Sequence, residues 1–212
     1  MRLLLSGYYG FGNLGDEALL EVIVAQLKAR HPYAEIDVLS AKPEITAHEL
    51  RVEATPRWDS RAVRAAIDRA DVVLSGGGGL LQNATSLRSL IYYTGIVRAA
   101  VHAKRTTMIF AQSIGPLDFW GKTVVRETCK GVAGATVRDD RSKELLSSLL
   151  PGVRVERTAD PAFLYEAPAE PVDLSAHGLG PQSDPLAIVS VRKANAMKDR
   201  IDLLAQAVDR LS

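Results

Sequence analysis

The chain has 212 residues, of which 47% are apolar and 24% charged, the composition of an ordinary globular protein rather than a disordered, collagen-like or coiled-coil one. Lys plus Arg number 26 and Asp plus Glu 25, a net charge of +1, which excludes a general electrostatic grip on nucleic acid. The single cysteine, Cys129, has no partner for an internal disulfide and points to a reducing compartment. The opening Met1–Gly7 is too short an apolar run for a signal peptide, and no stretch approaches the roughly 18 apolar residues of a membrane span. A cytosolic protein is expected.

In chain order, Leu3–Ser6 reads as a strand followed by a glycine-rich loop. A helix then runs from about Asp16 to Arg30, with Ala18, Leu19, Val22, Ile23 and Leu27 on one face, and His31-Pro32 stops it. Ile36–Leu39 is a second strand. Asp59 or Ser60 offers an N-cap for a helix through Arg69, and Asp71–Leu74 is a third strand. A long helix is expected over Leu87–His102, a strand over Thr107–Ala111, and a helix over Lys122–Lys130. Ala135–Arg138, a helix from Arg141 to Leu150, and Val153–Arg157 complete the series. Strands alternating with helices of this length predict an α/β fold, a mostly parallel, doubly wound sheet covered on both faces.

Composition shifts near Leu164. Residues 166–185 carry Pro168, Pro171, Pro181 and Pro185 with little periodicity and read as a linker after a first domain over 1–165. Leu186–Val191 then reads as a buried strand and Asp199–Leu211 as an amphipathic helix. These two elements cannot bury their own apolar faces. Residues 186–212 are therefore expected to open an incomplete second α/β domain; the alternative is that they pack back onto the first. An unfinished domain implies a chain that associates with itself or forms part of a longer one.

In parallel sheets ligands bind beyond the carboxyl ends of the strands, so the loops there are the candidate sites. Gly10-Phe11-Gly12-Asn13-Leu14-Gly15 is a literal G-x-G-x-x-G between a strand and a helix, the setting of a dinucleotide fingerprint. Against that reading, the second strand ends near Ser40-Ala41-Lys42 with no ribose-binding acid, Asp37 lying mid-strand. Asp16 and Glu17 also occupy the helical turn where a pyrophosphate would sit. A capped helix start and a loop that admits substrate close to the backbone both remain. The run Ser75-Gly76-Gly77-Gly78-Gly79, continuing to Asn83, offers either an amide nest for an anion or close helix–sheet packing. Gln112-Ser113-Ile114-Gly115 adds a carboxamide, a hydroxyl and free amides at the same edge. Arg138 closes a strand there, with Ser142 at the next helix start. A bidentate grip on phosphate or carboxylate and an ion pair with Asp139 or Asp160 are its two readings. Asp160 follows the last strand of the first domain. None of His31, His48, His102 or His177 follows a strand at this edge, and no metal-ligand spacing or nucleophile–histidine pairing stands out.

Taken together, GYYGFGNLGDEALL, LSGGGGLLQN, AQSIGPL, VRDDRS and ADPAFL, in order over residues 1 to about 165, resemble the polysaccharide pyruvyltransferase family, nearest its bacterial cell-surface (S-layer) anchoring branch. The resemblance implies a Rossmann-like N-terminal half of a GT-B-type fold. It implies transfer of the enolpyruvyl-derived group of phosphoenolpyruvate onto two sugar hydroxyls as a ketal, with release of phosphate. The implied acceptor is an N-acetylmannosamine residue of a lipid-linked cell-wall precursor, met by at most peripheral contact with the inner face of the membrane. No cofactor or metal is implied.

On that chemistry Arg138 is expected to grip the donor's carboxylate or phosphate and Asp16 to act as base or sugar-hydroxyl acceptor. Gly10, Gly12, Asn13, Gly15, Gly76, Gly77, Gly78, Asn83, Gln112, Ser113, Gly115, Ser142 and Asp160 are expected to line the substrates. The family's second-domain Arg-x-His element has no counterpart after residue 165, since His177 lacks a matching arginine, so this stretch alone is expected not to catalyse transfer. Two other readings stay open: a GT-B-type nucleotide-sugar glycosyltransferase, and a saccharide-binding fragment without turnover.

Overall fold

The structure, a computed structural model, describes residues 1–84, 86–166 and 201–210. Seven strands occur among these residues: β1 (Arg2–Tyr9), β2 (Glu35–Ser40), β3 (Glu53–Pro56), β4 (Val72–Gly76), β5 (Thr106–Gln112), β6 (Gly134–Val137) and β7 (Val155–Arg157). The helices are α1 (Leu14–Arg30), α2 (Pro43–Leu50), α3 (Ser60–Arg69), α4 (Leu87–His102), α5 (Phe119–Cys129), α6 (Asp140–Leu149) and α7 (Ile201–Asp209), with a 3₁₀ turn at Pro161–Leu164.

All strands run parallel in the order β3-β2-β1-β4-β5-β6-β7. The fold is thus the doubly wound α/β sheet. Right-handed crossovers place α1 and α2 on one face, because the chain steps outward from β1 to β3, and α3 to α6 on the other, because it then steps from β4 to β7. Packing follows that division. Leu20, Ile23 and Val24 of α1 meet Leu3, Leu5 and Val38 on one side. On the other, Val63 and Ile67 of α3 join Leu4 and Val73, while Val97, Val125 and Leu146 of α4, α5 and α6 meet Ile109 and Val137. The direction of winding reverses between β1 and β4, which opens a crevice beyond their carboxyl ends.

Local chemistry sets the helix starts. Asn13 caps α1 by accepting the Gly15 N–H, Asp59 caps α3 through the Arg61 and Ala62 N–H groups, and Ser86 caps α4. The sequence assigns no element to residues 41–58, where the chain forms α2 and β3. Helix α2 is short and buries only Thr46, and β3 is a four-residue edge strand ending in Pro56; neither carries a readable period. Strand β1 also continues past Ser6 to Tyr9, and α5 begins at Phe119, capped by Asp118, rather than at Lys122.

The chain divides into two units, Met1–Ala167 and Pro168–Ser212. In the second, the described residues form α7, which falls within the helix expected over Asp199–Leu211. The linker from residue 167 onward, His177 and the strand expected at Leu186–Val191 lie outside the described residues.

Candidate functional site

Because every strand is parallel, the loops after β1, β4, β5, β6 and β7 all lie at one edge of the sheet. The first two interlock at the crevice. The Glu17 carboxylate, one turn into α1, accepts the N–H groups of Gly10 and Gly12, each at 3.0 Å. The amides that a dinucleotide pyrophosphate would use are therefore already held by an anion of the chain's own. Asp37, mid-strand in β2, is buried, accepts the Thr55 hydroxyl at 3.0 Å and lies 3.6 Å from Arg69. Burial pushes its carboxyl up, and it serves β2 and β3 rather than a ribose.

The glycine run after β4 is dictated by close approach. A Cβ on Gly77, at φ +75°, would stand 2.9 Å from the Tyr9 hydroxyl, and one on Gly78, at φ +76°, would stand 2.7 Å from Asp16 Oδ1. The Gly77 N–H is given to Phe110 O at 3.2 Å, which takes it out of any anion nest. Tyr9 donates to Gly76 O at 2.7 Å; burial, and after it the charge of Asp16, pushes its phenol up, so it stays a neutral donor. The half-buried Asp16 carboxylate thus lies over the glycine run at the point where the sheet's winding reverses.

Backbone carries this arrangement on to β5 and β6. Gly78 O accepts the Ser113 N–H at 3.2 Å, and the Gly115 N–H donates to Leu81 O at 2.8 Å. Asn83 Oδ1 accepts the Asp118 N–H at 3.1 Å, tying the glycine loop to the start of α5. Two of the expected substrate ligands face inward. Gln112 is wholly buried and donates to Ser75 O at 2.6 Å, with its Oε1 lacking a partner among the described residues. Ser142, also buried, accepts the Ile114 N–H and donates to Asp139, both at 2.8 Å. Burial opposes ionisation of Asp139, but the Ser142 N–H and hydroxyl, the Ser113 hydroxyl and the Arg138 charge hold its carboxyl below the usual range.

Beyond β6 and β7 lies an open cleft of about 700 Å³ lined by Ser113, Arg138, Asp139, Arg157, Thr158 and Asp160. Arg138 is mostly buried and ion-paired to Asp160, and its Nε has no partner among the described residues. The ion pair anticipated as one of two readings is therefore present. It occupies one of five guanidinium donors and fixes the plane from one side, leaving capacity for an anion. Arg157 pairs with Asp140 at 3.1 Å and brings a second guanidinium to the rim. Asp16 thus meets Gly78, and Tyr9 meets Gly76 and Gly77, at the crevice; Gly10, Gly12, Asn13 and Gly15 belong to the segment that joins β1 to Asp16, and Ser113, Arg138 and Asp160 gather at the cleft.

One cluster at this edge escapes sequence reading. Arg57, directly after β3, is only 3% exposed. It donates to Gly7 O at 2.8 Å and to the Tyr93 hydroxyl at 3.1 Å, and its guanidinium carbon lies 4.7 to 5.5 Å from the ring centres of Tyr92, Phe11, Trp58 and Tyr93. The signal, Pro56-Arg57-Trp58, is visible only once β3 is known to end there. Among the described residues no group of three or more His, Cys, Asp or Glu side chains is placed to hold a metal ion, and no helix is long and apolar enough to cross a membrane.

The family model described as polysaccharide pyruvyl transferase matches residues 13–211. No curated protein matches the chain. Among solved structures it is similar to a hypothetical protein from Streptococcus mutans, with 20% identity over 70% of this chain and 50% of that one and a TM-score of 0.45. It is also similar to an AraC family transcriptional regulator from Pseudomonas putida, with 14% identity over 77% and 87% and a TM-score of 0.42. E. coli ADP-heptose lps heptosyltransferase II shows 18% identity over 73% and 35%, with a TM-score of 0.32. The chain spans half the length of the first of these.

Proposed function

The chain belongs to the polysaccharide pyruvyl transferase family, and from that premise we propose that it serves the transfer of the pyruvyl group of phosphoenolpyruvate, as a ketal, onto two hydroxyls of one sugar with release of phosphate. The observation that carries this reading is the pairing, along one sheet edge, of a carboxylate over a glycine run with a braced arginine lining an open cleft.

The donor carries about three negative charges near neutral pH, one on the carboxylate and nearly two on the phosphate. Its site needs cationic and amide donors more than a nucleophile. Arg138, held by Asp160, is the group we assign to that anion, with Arg157 at the rim adding to the positive potential. In the reaction the donor's methylene carbon takes a proton and becomes a methyl group. A sugar hydroxyl adds to the central carbon, phosphate leaves from it, and the second hydroxyl closes the ketal. Of the two hydroxyl protons, one balances the proton gained by the methyl group and the other departs with phosphate. Asp16 is assigned to accept a hydroxyl proton, because a carboxylate at the crevice is placed for general-base work. Its charge also disfavours phosphate at that spot, which directs the donor to Arg138 and the sugar to the glycine run.

We further propose that the acceptor is an N-acetylmannosamine residue on a lipid-linked cell-wall precursor in S-layer anchoring. The reaction would then take place at the cytoplasmic face of the membrane, with the described sheet as one half of a GT-B-type pair. The experiment is Arg138→Ala in the whole protein, assayed by phosphate release from phosphoenolpyruvate. Loss of a charge-assisted bidentate contact costs on the order of 2–4 kcal/mol, so the donor KM should rise and turnover slow, with Arg138→Lys recovering part. Unchanged kinetics in a folded Arg138→Ala variant would confine Arg138 to its ion pair with Asp160.

A further inference from the structure

Tyr8, Phe11 and Trp58 are 37%, 37% and 68% exposed, and they lie together at the carboxyl edge of β1 and β3. Scattered surface aromatics need no explanation; these are organised. The rings of Tyr8 and Phe11 stack with centres 4.1 Å apart, Phe11 meets Trp58 edge-on at 6.3 Å, and Trp58 leans on Tyr92 at 5.3 Å. Beneath them Arg57, almost wholly buried, forms no ion pair among the described residues and is held by ring faces, one carbonyl and one phenol. Its Nε has no hydrogen-bond partner among the described residues. A buried cation is costly to maintain. Here it locks exposed rings that would otherwise turn freely, and each face it engages adds an attraction of the cation–π kind.

The surrounding charges narrow the ligand. Arg57 already fills the cage, so a second cation is repelled. An anion is disfavoured as well, because Phe11 stands between Gly10 and Gly12, whose N–H groups Glu17 has taken, and Asp16 follows in the first turn of α1. What remains is a neutral ring with a C–H face for the aromatic surface and hydroxyls for its edge.

We propose that Tyr8, Phe11 and Trp58 form a stacking floor for a pyranose ring of a neutral saccharide, and that this ring belongs to the acceptor; the second part rests on the pyruvyl-transfer reading. Phe11 lies in the loop that leads into α1, whose first turn carries Asp16, so this reading turns the hydroxyl edge of a sugar seated on these rings toward the crevice where that carboxylate lies.

The test is saturation-transfer NMR on the protein with methyl N-acetylmannosaminide, and separately with uridine monophosphate, while following the Trp58 indole resonance. The sugar's ring C–H protons should receive saturation and the Trp58 resonance should shift. Binding should weaken about tenfold on loss of one stacked ring, in Trp58→Ala and in Phe11→Ala. Trp58→Tyr, which keeps an aromatic face, should retain most of the affinity, and Trp120→Ala, on α5, should bind as the parent does. Equal affinity in the parent, Trp58→Ala and Phe11→Ala would overturn the proposal, as would uridine monophosphate displacing the sugar from Trp58. Sugar bound at Trp58 without any phosphate release from phosphoenolpyruvate would sink the transfer reading while upholding the saccharide site. Phosphate release with an acceptor KM indifferent to Trp58→Ala would do the opposite.

Discussion

Gly12 and Gly78 form a matched pair for testing how the crevice is built. Both adopt left-handed backbone, at φ +73° and +76°, but a Cβ on Gly12 would meet nothing within 4 Å, whereas one on Gly78 would meet Asp16 Oδ1 at 2.7 Å. Gly12→Ala should therefore cost only the left-handed penalty, about 1–2 kcal/mol, reduced by about 0.4–1 kcal/mol through the stiffer unfolded chain. Gly78→Ala carries the same balance plus the displacement of a half-buried carboxylate, an overpacking cost of about 1–3 kcal/mol. Urea unfolding followed by circular dichroism, with unchanged slopes, measures the difference. Repeating both substitutions in an Asp16→Ala background should bring Gly78→Ala down to the cost of Gly12→Ala, a coupling of about 0.5–3 kcal/mol that is absent for Gly12. Gly78→Ala should also slow turnover more than Gly12→Ala, because it moves the assigned base. Equal costs for the two alanines, or no rescue by Asp16→Ala, would refute the placement of Asp16 over the glycine run.

Asp139 has a carboxyl held below the ordinary range in the folded chain, so its contribution to stability is full above the unfolded carboxylate pKa of about 3.9 and is lost as pH falls through the lower folded value. Stability measured from neutral to acid pH should show that loss in the parent, and Asp139→Asn should flatten this part of the profile; an unchanged acid limb would contradict it. Burial pushes the Cys129 thiol up to about 11, so the native chain should resist iodoacetamide at neutral pH and react only as it unfolds, whereas fast native labelling would place the thiol at the surface.

Which parts of the fold the sequence reveals follows from how each part is stabilised. Helix α4 is legible at both ends because Ser86 caps it and its apolar residues recur at helical period over sixteen positions. Strands β1, β4 and β5 are legible because a sheet covered on both faces demands continuous apolar runs. Helix α2 and strand β3 leave little trace, being an eight-residue helix that buries one residue, Thr46, and an edge strand ending in proline. Missing them also hides Arg57 and its ring of aromatics, whose members come from residues 11, 58, 92 and 93 and meet only in three dimensions.

The site shows the same division. Asp16 in the first turn of α1 and Arg138 at the end of β6 can be read from spacing, since each sits where a strand–helix junction must face the crevice edge. That Asp16 lies over Gly78, or that Arg138 is braced by Asp160, depends on contacts across 62 and 22 residues of sequence. Gln112 and Ser142 show why polarity at a strand end is not enough. Both stand at the ligand edge in sequence, yet Gln112 is buried against Ser75 and Ser142 is buried against Asp139.

We propose that the described sheet edge belongs to a site that joins pyruvate to a sugar. The most direct test is mass spectrometry of an N-acetylmannosamine-containing acceptor after incubation of the whole protein with phosphoenolpyruvate labelled with carbon-13 in its three carbons. A labelled, acid-labile ketal on the acceptor, formed in step with phosphate and lost in Arg138→Ala, is the predicted result. Phosphate released with the label left in free pyruvate, or label transferred equally well by Arg138→Ala, would contradict it.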